Sequence, residues 1–330
     1  MRIGILACLV AVLALAGCGA PESAKKPGAM KAALLVAGPV SDKGWNGLAH
    51  DAGVKMSADM GVEVSELQTK SMGEIEAALR DYSARGYDVI FCHGNEYGEP
   101  ALKVAKDFPK THYVITAGRV SAPNVTSLMY GIEDAAYLCG MLAAGMSTTG
   151  QAACVGGMEI PVIVGTFKGF ELGAKAQRPD MKVTSAYIGN WDDTGSAKQQ
   201  TATLINQGND FILHNADAAG LGVFQAVQEA AKSGKKVYAF GSNADQASLA
   251  PDVILASAVL EINKAFETVI TEIRENRFQG TKRALDITNG YVTLQINPAL
   301  KDRIPADLLK QVETAREKMV KRELIVPKTD

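Results

Sequence analysis

The chain reads as an α/β protein built from two similar open-sheet lobes. From Lys31 onward, short β-branched apolar runs alternate with longer amphipathic stretches, which is how a parallel sheet covered by helices appears in sequence. The pattern then restarts after Gly150 with runs of similar length. Once the first 30 of the 330 residues are set aside, about 300 remain, more than one compact core of ordinary size holds. Two lobes are expected.

In the first series the predicted strands are Ala32 to Ala37, Val62 to Gln68, Val89 to His93, Tyr113 to Ala117 and Ser127 to Tyr130. Helices are predicted between them at Gly47 to Met60, Gly73 to Arg85 and Pro100 to Phe108, and a further one over Asp134 to Met146 stops before Gly150. The second series has strands at Ala152 to Val155, Val183 to Ile188, Phe211 to His214, Val237 to Phe240 and Val253 to Val259. Its helices are Val164 to Gln177, Gly195 to Gln207 and Leu221 to Lys232. Beyond it, Asn263 to Glu275 and Ala306 to Lys321 read as helices, and Ala284 to Ile296 as a hairpin turning at Asn289-Gly290. The expected organisation is a first lobe from 31–145 plus about 262–330, and a second lobe from 146–261.

The N-terminus carries its own signal. Met1-Arg2, an apolar run from Ile3 to Ala16, and Leu15-Ala16-Gly17-Cys18 have the layout of a lipoprotein leader. The apolar run is short for a permanent membrane span. Processing at Cys18, acylation of its thiol, and a Pro/Gly/Ser/Lys tether over 19–30 would leave a globular body held at the cell membrane by lipid, facing the periplasm or the cell exterior.

Composition excludes several classes. A net charge of -2 without a basic cluster gives no footprint for nucleic acid. Cys92, Cys139 and Cys154 sit in apolar segments without CxxC spacing, so buried thiols are expected rather than zinc or redox pairs. The four histidines are scattered without metal spacing, and no nucleophile elbow or P-loop lysine occurs. Neither metal nor cofactor is expected, nor is an enzyme.

In open α/β sheets, ligands sit beyond the carboxyl ends of the strands, where helix N-termini and loop backbones converge. The loop after the first strand contains Ser41, Asp42, Trp45 and Asn46, and Ser41 or Asp42 can cap the next helix. The only other tryptophan is Trp191, in a strand-to-helix loop of the second series. The two indoles either pack their own loops or face each other across one cleft and sandwich a flat ring. Other loops at these sheet ends carry Asn95, Glu96, Asp217 and Asn243, residue types that serve both turns and heterocycle edges.

Five stretches, Asp42-Lys43-Gly44-Trp45-Asn46, Gly131-Ile132-Glu133-Asp134-Ala135-Ala136-Tyr137-Leu138-Cys139-Gly140, Phe167-Lys168-Gly169-Phe170, Ala218-Ala219-Gly220-Leu221-Gly222-Val223 and Asp245-Gln246 with Leu249-Ala250-Pro251, resemble the basic membrane protein or PnrA-like lipoproteins. These are solute-binding components of ABC importers, and the likeness spans essentially the whole mature chain. It implies a type I periplasmic-binding fold with a multi-strand hinge, an ABC permease as partner, and a purine nucleoside or nucleobase held between Trp45 and Trp191 with Asn46 on the base edge. Asp42, Asn95, Glu96, Asp217 and Asn243 complete the candidate ligand residues. Asn243 stands where nucleoside binders of the family resemble a carboxylate, and after Ser257 the chain reads Ala258-Val259-Leu260-Glu261 in place of an expected lysine. A free nucleobase therefore competes with a nucleoside. A flavin or other aromatic metabolite, and a ligand-sensing lipoprotein that signals to a membrane partner, are the alternative readings.

Overall fold

A computed structural model describes residues 29–328. The leader, its Cys18, most of the tether and the last two residues lie outside the described residues. The first series forms β1 (Lys31–Val36), α1 (Trp45–Met60), β2 (Glu63–Gln68), α2 (Met72–Ala84), β3 (Val89–His93), α3 (Gly98–Ala105), β4 (His112–Thr116) and β5 (Val125–Tyr130). Next come α4 (Glu133–Met146), β6 (Gln151–Gly156), α5 (Pro161–Gln177), β7 (Lys182–Tyr187), α6 (Thr194–Asn206), β8 (Phe211–Asn215), α7 (Gly220–Lys232), β9 (Tyr238–Asn243) and β10 (Ile254–Leu260). The tail adds α8 (Ile262–Arg274), β11 (Lys282–Leu285), β12 (Val292–Ile296) and α9 (Ala306–Val320).

Two six-stranded sheets result, in the orders β11-β5-β4-β3-β1-β2 and β12-β10-β9-β8-β6-β7. All pairs are parallel except β10 with β12. Burial explains the strand sequences: β3, β8 and β10 are covered on both faces and read as continuous runs of mainly apolar residues, whereas the edge strands β2 and β7 carry Glu63, Glu66, Lys182 and Ser185. Helix ends follow local chemistry. Ser71 accepts from the Glu74 N–H to start α2, and Gly61 takes a left-handed conformation to end α1.

The tail departs from the expected division. β11 joins the first sheet beside β5, but β12 pairs with β10 in the second, so the expected hairpin over Ala284 to Ile296 is a crossing between lobes turned by Ile287–Asn289. α8 packs on α1 of the first lobe, α4 packs on α5, β10 and β12 of the second, and α9 packs on α4 and on the turn Ile287–Asn289. Residues 262–330 therefore do not all return to the first lobe, and α4 leaves it. Local periodicity identifies these elements, but which sheet edge each one covers is decided by non-local packing. Among the described residues the chain crosses between lobes three times, at α4, after β10, and between β11 and β12.

α4 and α5 are in close backbone approach. A Cβ on Gly140 would strike the Phe170 carbonyl, one on Gly173 the Tyr137 carbonyl, and one on Gly169 the backbone of Glu133. Glycines let the two helices meet without side chains between them.

Candidate functional site

The carboxyl ends of the central strands of both sheets carry the loops singled out in the sequence. In the first lobe the turn Val40–Asp42 leads into α1. Asp42 is buried, and its carboxylate accepts from the N–H groups of Gly44 (2.9 Å), Asn46 (2.8 Å) and Gly47 (2.8 Å) and from the Asn46 Nδ2 (2.8 Å). It satisfies the free donors that start α1. Asn46 Oδ1 accepts from the Gly38 N–H at 3.1 Å, so both ends of its amide are engaged within its own loop. Asp42 and Asn46 build the loop rather than extend from it.

Trp45 is half-buried at the start of α1. Its indole stacks on the imidazole of His93 with centroids 3.9 Å apart and planes at 28°. His93 closes β3 and is fully buried; its Nε2 lies 2.9 Å from the Trp45 carbonyl and its Nδ1 3.0 Å from Thr116 Oγ1 on β4. Burial pulls the imidazole down to about 3, so it stacks as an uncharged ring. One face of Trp45 is thereby backed by a rigid aromatic support. Beyond β3, Asn95 is exposed and Glu96 half-buried, with the Glu96 carboxylate over Gly94 and its pKa raised by burial.

In the second lobe Trp191 is also half-buried, and its six-membered ring lies on the backbone of Gly157, where a Cβ would collide with it. Asn190 Oδ1 accepts from the Asp192 and Asp193 N–H groups, and Asp193 caps α6 through the Ser196 N–H. The Trp191 carbonyl accepts from the Ala219 N–H at 2.8 Å, joining this loop to the turn Asp217–Ala219 after β8. That turn in turn packs against Val40–Asp42 of the first lobe. The loops that carry the two indoles are therefore linked through these turns.

Asp217 has a left-handed backbone, φ 46°, which a short polar side chain tolerates. Burial pushes its carboxyl up to about 8, and the neighbouring carboxylates of Asp42, Asp192 and Glu96 add to the shift. Asn243, left-handed at φ 69°, is buried at the end of β9, and its Nδ2 lies 3.4 Å from Asn215 Oδ1. The Asn215 Nδ2 donates in turn to Thr166 Oγ1 at 3.3 Å. The facing loops thus bring aromatic rings, amides and acids together where the two lobes meet.

Of the eight candidate ligand residues, the structure sets Trp45, Glu96, Trp191 and Asp217 half-buried in the segments that follow β1, β3, β7 and β8, turns Asp42 and Asn46 into the first loop, ties Asn243 to Asn215, and leaves Asn95 exposed. Sequence reasoning did not select His93, Thr116, Gly157, His214 or Gln246. Only position offered a signal for them, since each of His93, Thr116, His214 and Gly157 lies at or next to a strand's carboxyl end. Among the described residues no group of three or more His, Cys, Asp or Glu is arranged to hold a metal, and no helix is long and apolar enough to cross a membrane. Cys92, Cys139 and Cys154 are buried free thiols, as expected.

Two parallel-rich sheets joined by three crossings, with polar loops meeting at their facing ends, define a two-lobed solute receptor of the type I periplasmic-binding fold. A family model described as ABC transporter substrate-binding protein PnrA-like matches residues 29–330, and the chain belongs to this family. It is 25% identical over 342 residues to the ABC transporter nucleoside-binding protein BmpA of Lactococcus lactis, covering 97% of this chain and 96% of that protein. It is 30% identical over 235 residues to a purine-binding protein of Brucella abortus, covering 70% and 65% of the two chains. An ABC-transporter solute-binding protein of Aeropyrum pernix superposes with a TM-score of 0.82 at 25% identity, covering 91% of this chain and 94% of that one. Members of such a family are extracytoplasmic components that bind a small molecule and work with a permease.

Proposed function

We propose that this protein captures a purine-like nucleobase or nucleoside between Trp45 and Trp191 and delivers it to an ABC permease while tethered to the membrane by lipid on Cys18. The single observation that carries the reading is the pair of indoles, one in each lobe, each with one face already backed, Trp45 by His93 and Trp191 by Gly157. A face so supported loses little side-chain freedom when a ring settles on the other side. Glu96 and Asp217 supply the polar contacts to the ring edge, and Asp217, holding its proton at neutral pH, can donate as well as accept. The names of the Lactococcus and Brucella relatives support the ligand class, and the leader sequence supports the anchor.

The test is a thermal-shift panel of adenine, guanine, hypoxanthine, adenosine, guanosine and inosine, with mass spectrometry of the N-terminal peptide from membranes. Stabilisation by at least one purine and a diacylglyceryl mass on Cys18 are expected. A flat response across the panel rejects the ligand class, and an unmodified Cys18 rejects the anchor.

A further inference from the structure

We propose that Gln246 is a latch that ties the two lobes together across the cleft. It lies in the loop after β9 and is 1% exposed. Its Nε2 donates to the Lys43 carbonyl of the first lobe at 3.1 Å, a bond between residues 203 positions apart. The rest of Gln246 is fixed to the second lobe. Its Oε1 receives the Ser242 N–H at 3.0 Å and lies 2.8 Å from His214 Nε2, and its own N–H donates to Ser257 Oγ at 3.1 Å.

The orientation of the amide follows from chemistry. A backbone N–H can only donate, so the side-chain atom facing Ser242 N is the oxygen, and the NH2 group is left pointing at Lys43. The same oxygen needs a donor from His214, which places that ring's proton on Nε2. Burial lowers His214 to about 4, so at neutral pH the imidazole carries a single proton, and its buried Nδ1 has no hydrogen-bond partner. His214 and Ser242 thus hold the amide in the one orientation that presents a donor to the first lobe. On the other side, Lys43 has a left-handed φ of 54°, in the loop that Asp42 fastens to the start of α1. Donor and acceptor are both preorganised, so opening the cleft must break this bond. The proposal does not depend on which molecule the indoles accept.

The test needs no ligand. The chain's only two tryptophans sit one in each lobe, so acrylamide quenching of intrinsic fluorescence reads opening directly. The full chain in detergent micelles at pH 6.5 is compared with Gln246→Met, which removes the donor, and Gln246→Glu. The glutamate keeps an acceptor for Ser242 and His214 but sets a second oxygen against the Lys43 carbonyl. One neutral hydrogen bond is worth about a fivefold change in the open-to-closed ratio, so both variants are expected to quench more strongly while still folding to one cooperative melting transition, shifted down in Gln246→Met because the Ser242 N–H and His214 lose their acceptor. Quenching equal to wild type in both variants overturns the proposal. Stronger quenching that comes only with loss of the folded circular-dichroism signal in both also overturns it, because Gln246 would then be serving the second lobe's interior alone.

Discussion

Replacing Asp217 with asparagine should remove a pH dependence that the wild-type protein carries in its cleft. The Asp217 carboxyl moves from an ordinary 3.8 to about 8 because it is buried and meets the carboxylates of Asp42 and Glu96 from the first lobe and Asp192 from its own. A shift of about four units corresponds to on the order of 5 kcal/mol at 1.36 kcal/mol per unit. The sign follows from proton counting. Between pH 4 and 8 the folded protein keeps a proton that the unfolded chain has lost, so stability is full below pH 4, falls as pH rises through this window, and is level above it. The observed loss is smaller than the full figure, because opening the cleft lets the carboxylate hydrate and separates it from Asp42 and Glu96. Urea unfolding of wild type and Asp217→Asn at unit steps from pH 4 to 9 isolates this group with the carboxylates coupled to it, since titrations elsewhere cancel in the difference. The variant should match wild type at pH 4 and exceed it by about 2 kcal/mol or more at pH 8. Parallel pH profiles, or a variant less stable than wild type at pH 8, would refute the reasoning.

Three further outcomes follow from the geometry. Trp45→Ala and Trp191→Ala should each weaken binding of whichever purine stabilises the wild-type protein by about tenfold to a hundredfold, measured by calorimetry, because stacking of a base on an aromatic ring contributes about 1 to 3 kcal/mol. Asp42→Ala leaves the buried N–H groups of Gly44, Asn46 and Gly47 without their acceptor and should cost about 3 kcal/mol in denaturant unfolding. Gly173→Ala drives a methyl into the Tyr137 carbonyl where α5 meets α4, and should destabilise by about 3 kcal/mol while leaving the cleft residues' chemistry untouched.

Most of the fold was legible because its elements obey local rules. β3 lies where a buried apolar run places it, and α2, Met72–Ala84, falls within one residue of the predicted Gly73 to Arg85 at each end. What periodicity does not carry is partnership: β11 and β12 have the flanking turn chemistry of a hairpin, yet the Asp286 and Asn289 side chains close a capping box between them and send the two strands to different sheets. The same division runs through the site. The loops were legible, since a strand's carboxyl end is where any open sheet exposes its backbone groups. The direction of each side chain within them was not. Asp42 and Asn46 have the donors and acceptors a heterocycle needs, but the turn brings their own backbone neighbours within 3 Å first, and a local partner that costs no ordering prevails over a diffusing one. Gln246 shows the converse. Asp245-Gln246 stands out in sequence as a family-like stretch, yet its role does not, because the carbonyl that Gln246 reaches lies in the other lobe and comes within range only once three crossings have set the two sheets face to face. A residue that joins two lobes is therefore the kind whose partner local reading misses, while the partners of one that shapes a single loop lie within a few residues of it.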